Sequence, residues 1–281
     1  KKRMVVQKLA FAGMSLVASL TVVFIILIVV YIVSMGAGAI SFEFIFSAPY
    51  DGMRSGGIFP AIIGTFYLTL GTAMLAVPLG LGAAIYLSEY APDNQVTRII
   101  RIAITNLSGI PSVVYGLFGL GLFVLFLGLG TSILAASMTL AIMTLPVIIS
   151  TAEEALRAVP QSFRVVSISL GGTRLQTIRK IVLPEAMPGI LTGVILGLER
   201  AAGETAPIMF TGAAFFLPQL PTSLTDATMA LPYHLFVIST QVPGMPIQIQ
   251  FGTALVLLVF VLGMNLIASI IRSRARARRQ W

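Results

Sequence analysis

A chain of 281 residues with 57% apolar and only 10% charged side chains, at a mean hydropathy of +0.98, lies far from the roughly 25% charged content of an ordinary soluble domain. Its net charge of +8 sits in short stretches flanking apolar runs, where topology and anionic lipid account for it, so it is no evidence for a nucleic-acid partner. Cysteine is absent, which excludes disulfides, cysteine metal sites and a thiol nucleophile.

No Asp, Glu, Lys or Arg lies between Lys8 and Glu43, between Arg54 and Glu89, or between Arg101 and Glu153. A bilayer core needs about 20 apolar residues per helix. The first two runs therefore hold one span each and the third holds two, with Gly128, Gly130, Thr131 and Ser132 supplying the turn between them. In chain order the predicted spans are 9–35, 61–88, 104–127, 132–150, 187–212 and 251–271, an all-α integral membrane protein. The first apolar stretch far exceeds the roughly 7–15 residues of a signal-peptide core and reads as a retained anchor. Residues 1–60 are assigned to a tail, the first span and an external loop, 61–271 to the main transmembrane domain, and 272–281 to a basic tail.

Basic residues in short loops stay on the cytoplasmic side during insertion. Lys1, Lys2, Arg3 and Lys8 precede the first span, and Arg272, Arg274, Arg276, Arg278 and Arg279 follow the last. Loops 89–103 and 151–186 add Arg98, Arg101, Arg157, Arg164, Arg174, Arg179 and Lys180, whereas segments 36–60 and 213–250 contain only Arg54. The expectation is a multi-pass membrane protein with both termini cytoplasmic.

Segment 151–186 is too charged to cross a bilayer. Span four should extend to Pro160, and a helix from about Gln161 to Leu170 should end at Gly171-Gly172, a glycine C-cap. Thr173 is placed to cap a further piece, in which Leu175, Ile178 and Val182 share one face until Pro184 ends it. Such a helix reads either as a docking knob for a partner or as an interfacial helix lying on lipid headgroups. Segment 213–250, with Pro218, Pro221, Pro232, Pro243 and Pro246, reads as an irregular external loop carrying one re-entrant or surface helix. Its His234 has no partners at metal-ligand spacing and is assigned no chemistry.

Span five contains Glu199, Arg200 and Glu204, charges that cost about 2.5–3.5 kcal/mol each at mid-bilayer and are rarely decorative. Counted from Pro188, Arg200 stands about 18 Å along the helix, near the middle of a ~30 Å core. On an unbroken helix Arg200 and Glu204 share a face with Gly193 and Gly197, which would admit a neighbouring helix closely. Pro207 leaves the carbonyl of Gly203 without its donor and weakens the helix there. One reading is an ion pair that merely neutralises two charges. The other is an anion gate, where the guanidinium fork meets a passing oxyanion and Glu204 or Glu199 accepts the proton of hydrogen phosphate.

These residues resemble the membrane subunits of type I ATP-binding-cassette importers. That family's cytoplasmic signature ends in Gly, nine residues, Ile, one residue, Leu-Pro, matched by Gly171, Ile181, Leu183 and Pro184, while its opening Glu-Ala-Ala is here Val165-Val166-Ser167. Glu153–Pro160, Gly189–Leu196, Gly203–Pro207 and Gly109–Gly116 together are similar to the phosphate permeases of the PstA family. The resemblance implies a PstC-like permease partner, a dimer of PstB-like ATPase subunits and a PstS-like phosphate-binding protein. It also implies a translocation set of Arg200, Glu204, Glu199, Thr205 and Ser112, and an ATPase-coupling set of Gly171, Leu175, Ile178, Ile181, Leu183 and Pro184. No Gly-x4-Gly-Lys-Ser/Thr motif occurs, so ATP and Mg are expected in the partner ATPase, with no cofactor or metal on this chain. Permeases for sulfate, molybdate or phosphonate, and an ATP-independent transporter, stand as the alternatives.

Overall fold

The computed structural model describes residues 2–277; Lys1, Arg278 and Arg279 of the basic tails lie outside the described residues. Helix α1 (Lys2–Gly36) leads through a short α2 (Phe42–Phe46) and a two-stranded hairpin, β1 (Pro49–Tyr50) with β2 (Ser55–Gly56), into α3 (Phe59–Ile85). A π-helical turn, Tyr86–Tyr90, ends α3 before α4 (Gln95–Leu107). Next come α5 (Ser112–Gly119), extended in π geometry over Leu120–Phe126, and α6 (Ile133–Arg157). The loop helices α7 (Gln161–Ser169) and α8 (Arg174–Thr177) precede α9 (Leu183–Gly203) and α10 (Ala206–Thr211), and α11 (Leu231–Thr240) and α12 (Ile247–Ala277) complete the chain.

Among the described residues five helices are long and apolar enough to cross a bilayer, and a sixth crossing follows if the bent pair α4–α5 counts as one. The centre of the bundle is α6, whose apolar residues are buried on most sides against α3 and α9. Close approach to α9 is possible because Gly193 and Gly197 have no side chains: a Cβ at 193 would strike Thr151, and one at 197 would meet Ile148 at 3.1 Å. By contrast α1 presents apolar side chains to its surroundings along its length, as a lipid-facing helix does, and touches α12 near Gly36, where Tyr31 meets the Phe251 ring edge-on at 5.4 Å. Threonine hydroxyls inside the bundle donate to carbonyls one turn back, as Thr65, Thr69 and Thr72 do on α3, so these buried hydroxyls are satisfied within their own helix.

Two predicted spans are broken. The helix expected over 104–127 is two helices meeting at 101°, because Gly109 and Pro111 interrupt it and the residue before a proline disfavours the α conformation. The helix expected over 187–212 stops at Gly203; Glu204 is extended at φ −75°, ψ 137°, and the chain re-enters a helix at Ala206 with Pro207 in its first turn. In the other direction this span runs further than expected. Pro184 does not end the preceding helix: residues 178–182 are π-helical, with the Leu183 N–H donating to the Ile178 carbonyl, and the shifted register carries the chain from Arg174 to Gly203 without a break.

The segment after α10 is not a loose loop. Its carbonyls at Asp226 and Leu224 accept from the first-turn N–H groups of α6, and the Leu231 N–H donates to Thr65 Oγ1 at 2.8 Å. Helix α11 is buried against α3 and α12 with His234 inside, too short to be a span.

Candidate functional site

Arg200 lies in the last turn of α9, and its Nε donates to Glu204 Oε1 at 3.3 Å. The pair is the expected one, but the helix face argued for it is not the cause, since Glu204 stands at the break. Freed from the helix, its carboxylate lies across the helix end, beside a void of about 10 Å³ lined by Thr65, Leu68, Thr69, Ala230 and Pro232, too small for more than about one water. The bond is long for a charge-assisted contact, and Arg200 has 36% of its side chain exposed against 16% for Glu204. Its terminal N–H groups make no hydrogen bond among the described residues.

The remaining predicted translocation residues separate into two groups. Thr205 directly follows Glu204 at the N-cap position of α10, without a side-chain capping bond, and α10 packs on α5, where a Cβ at Gly116 would meet Ala206 and Pro207 at 3.0 Å. Ser112 opens α5, and Tyr115 on the next turn is within electrostatic reach of Arg200. Glu199 does not join them. It faces α12, in a cavity of about 200 Å³ shared with Thr192, Asn265, Ser269 and Arg272, and its Oε1 is buried without a hydrogen-bond partner. The 100° step per residue turns Glu199 away from Arg200.

The predicted coupling loop is largely as read. Helix α7 ends at Gly171 with φ +84°, a left-handed conformation that glycine adopts without strain. Thr173 caps α8 in a reciprocal capping box with Gln176. The apolar face, however, is divided. Val182 is buried with Leu87, Ile149, Leu156 and Ile190, Ile178 is buried as well, and Ile181, Leu183 and Pro184 are half-buried, so these side chains hold the loop to the bundle. The exposed apolar surface belongs to Leu175 and to α7 itself, where Val165, Val166 and Ile168 are uncovered and Leu170 is 84% exposed.

Beneath that loop lies an ionic cluster that sequence reading missed. Arg164 clasps Glu89 through two bonds, Nη2 to Oε1 at 2.6 Å and Nε to Oε2 at 3.1 Å, and also donates to the carbonyls of Leu156 and Val159. Arg174 donates to the Glu89 carbonyl and lies 4.9 Å above the Tyr90 ring. Beside them Glu153 takes Arg101 at 2.7 Å and Arg157 at 3.0 Å. A cavity of about 440 Å³ opens among Glu89, Arg157, Arg164 and Arg174. The only sequence signal was a pair of acids, Glu89 and Glu153, bordering the charge-free runs; their partners are up to 85 residues away. No cluster of metal-ligating side chains occurs among the described residues, and His234 is buried within α11 with its Nδ1 unpartnered.

A bundle of broken spans around a central helix, with a glycine-ended loop helix clasped to its basic side, is the architecture of a transporter membrane subunit. The model of the binding-protein-dependent transport system inner membrane component matches residues 76–279, and the chain belongs to that family. Its relatives include the probable ABC transporter permease protein YqgI of Bacillus subtilis (strain 168), 33% identical over 95% of both chains. The phosphate transport system permease protein PstA 1 of Mycobacterium tuberculosis (strain H37Rv) is 36% identical over 80% of this chain and 73% of its own. A probable phosphate transport system permease protein PstA of Methanocaldococcus jannaschii is 32% identical over 75% and 74%. Among solved structures, the inward-facing MetNI methionine ABC transporter superposes with a TM-score of 0.62 at 18% identity, covering 78% of this chain and 97% of that one, a likeness of fold alone. The chain is an ABC permease subunit and not itself an enzyme; ATP hydrolysis lies in a separate subunit.

Proposed function

We propose that this chain forms half of the translocation pathway of an ATP-driven importer of inorganic phosphate. The observation that carries the reading is the Arg200–Glu204 pair at the break between α9 and α10. A guanidinium whose terminal N–H groups have no partner among the described residues offers paired donors to an oxyanion. Glu204 beside it accepts a hydrogen bond from the O–H that hydrogen phosphate carries and repels sulfate, which has none to give. Thr205 and Ser112 line the approach to the pair, whereas Glu199 on the α12 side serves the packing of α9 on α12. The relatives named as phosphate permeases support the substrate class.

The partners in this reading are a PstC-like permease, a PstB-like ATPase dimer that holds ATP and Mg, and a PstS-like phosphate-binding protein, in a prokaryotic inner membrane. The exposed apolar surface of α7, with Leu175 and the Gly171 turn, docks the ATPase; Ile178, Ile181, Leu183 and Pro184 seat that surface on the bundle. Both chain ends are cytoplasmic by the distribution of basic residues.

The test is reconstitution of the complex in liposomes. Phosphate-loaded binding protein should stimulate ATP hydrolysis and uptake while sulfate does not, and equal stimulation by sulfate would assign the chain to another oxyanion. Because the chain lacks cysteine, single cysteines at Asp51 and Asp226 should react with an impermeant maleimide from outside intact cells. Labelling only after permeabilisation would reverse the orientation.

A further inference from the structure

The basic-side cluster does more than satisfy buried charges. Helix α7 has no buried residue of its own, so apolar contact contributes little to holding it. Its attachments are polar: the Arg164 guanidinium, and Ser167 Oγ, 2.8 Å from Thr177 Oγ1. Arg164 lies before the Gly171 turn and Arg174 after it, and both bind Glu89, the first through its carboxylate and the second through its carbonyl. Both arms of the loop are thus fastened to one residue, and Arg164 fastens the end of α6 to the same point through Leu156 and Val159.

Glu89 is the single acid of a continuous helical rod, Phe59–Tyr90, and is only 8% exposed. The other end of that rod carries Thr65, Leu68 and Thr69, which lie against Glu204. A buried bidentate ion pair resists bending because each charge is costly to expose or leave unpaired. A displacement of α7 therefore reaches α3 with little slack, and through α3 it reaches the Arg200–Glu204 pair.

We infer that Glu89 is the positioning residue that couples the ATPase-docking loop to the translocation site, clasping Arg164 and Arg174 so that α3 moves with α7. The inference rests on the proposed docking of the ATPase at α7. It is tested in the reconstituted complex with phosphate-loaded binding protein. Glu89→Gln keeps the side-chain shape and removes the charge, and Arg164→Lys keeps the charge and removes the fork. Both complexes should copurify with the ATPase and hydrolyse ATP while delivering about tenfold less phosphate per ATP, the size of an ordinary coupling term. The double variant Glu89→Gln/Arg164→Gln should stay as uncoupled as the singles. Recovery in the double variant shows a structural ion pair only and overturns the inference, as does normal coupling in both singles. Should Glu89→Gln fail to assemble, Arg164→Lys carries the test. Leu170→Asp separates this from the docking reading: if it does not release the ATPase, docking at α7 is wrong whatever the Glu89 variants do.

Discussion

The two ionic groupings of this permease are built on opposite principles. At the α9–α10 break one arginine meets one carboxylate through a single 3.3 Å contact, and over a third of the arginine side chain is exposed. On the basic side four arginines share two glutamates and several carbonyls, with contacts as short as 2.6 Å and both acids buried. A loosely held charge can change partners at little cost, and a cross-linked one cannot. The first arrangement suits a site that a substrate must enter and leave, the second a joint that must keep its geometry while other parts move.

Breaking the loose pair should have the largest effect. Arg200→Ala should abolish uptake with little loss of complex yield, and Arg200→Lys should impair it strongly, since lysine lacks the paired donors. The neutral double variant Arg200→Gln/Glu204→Gln should assemble and remain inactive. If its uptake recovers, the pair is structural and the contrast with the basic side disappears. Uptake and yield measured together decide this.

Next in size is Gly193→Leu, which drives a side chain into Thr151 where α9 meets α6. Overpacking of this kind costs about 1–3 kcal/mol. The variant should lower thermal stability in detergent and complex yield together, in contrast to Arg200→Ala, and unchanged melting would show that α6 and α9 separate more easily than their packing implies.

A smaller effect is expected at Gly171. A Cβ there meets nothing within 4 Å, so the cost of Gly171→Val is that of a left-handed backbone alone, about 1–2 kcal/mol. Because Arg164 and Arg174 hold the two arms, the loop should stay seated and ATPase copurification should fall by severalfold without vanishing. Full loss would mean that the turn, not the clasp, sets the loop's position.

The smallest effect concerns a carboxylate outside both groupings. N–H bonds from Thr222 and Ser223, with the Thr222 hydroxyl, hold the Asp226 carboxyl below its ordinary pKa. Since the folded value is the lower one, its contribution is complete above about pH 4 and is lost as pH falls through the folded value. Asp226→Asn should raise amide exchange in residues 221–227 at neutral pH and leave uptake intact.

Much of this molecule was legible without coordinates. Charge-free runs longer than a bilayer is thick mark where the chain enters hydrocarbon, because an unpaired charge there is too costly to be placed by chance. Gly171 and Thr173 marked the loop turn, since their roles depend only on local backbone geometry. Pro207 marked the weak point of the fifth span, whereas Gly109-Ile110-Pro111 passed as part of one continuous span, because an apolar run counted by length alone shows no break. Pro184 misled in the other direction, because a π turn can absorb a proline and no composition rule announces one.

What only the tertiary structure decided is which groups meet. Helix periodicity turns Glu199 away from Arg200 but does not say that it meets Asn265, Ser269 and Arg272, because that follows from how α12 packs on α9. Nor could the sequence divide Leu175 from Ile178, neighbours on one helical face, into an exposed and a buried residue. The Glu89–Arg164–Arg174 clasp lay furthest out of reach. Sequence periodicity reports local geometry and burial, whereas an ion pair between residues 75 positions apart exists only once helix packing has brought the two ends together.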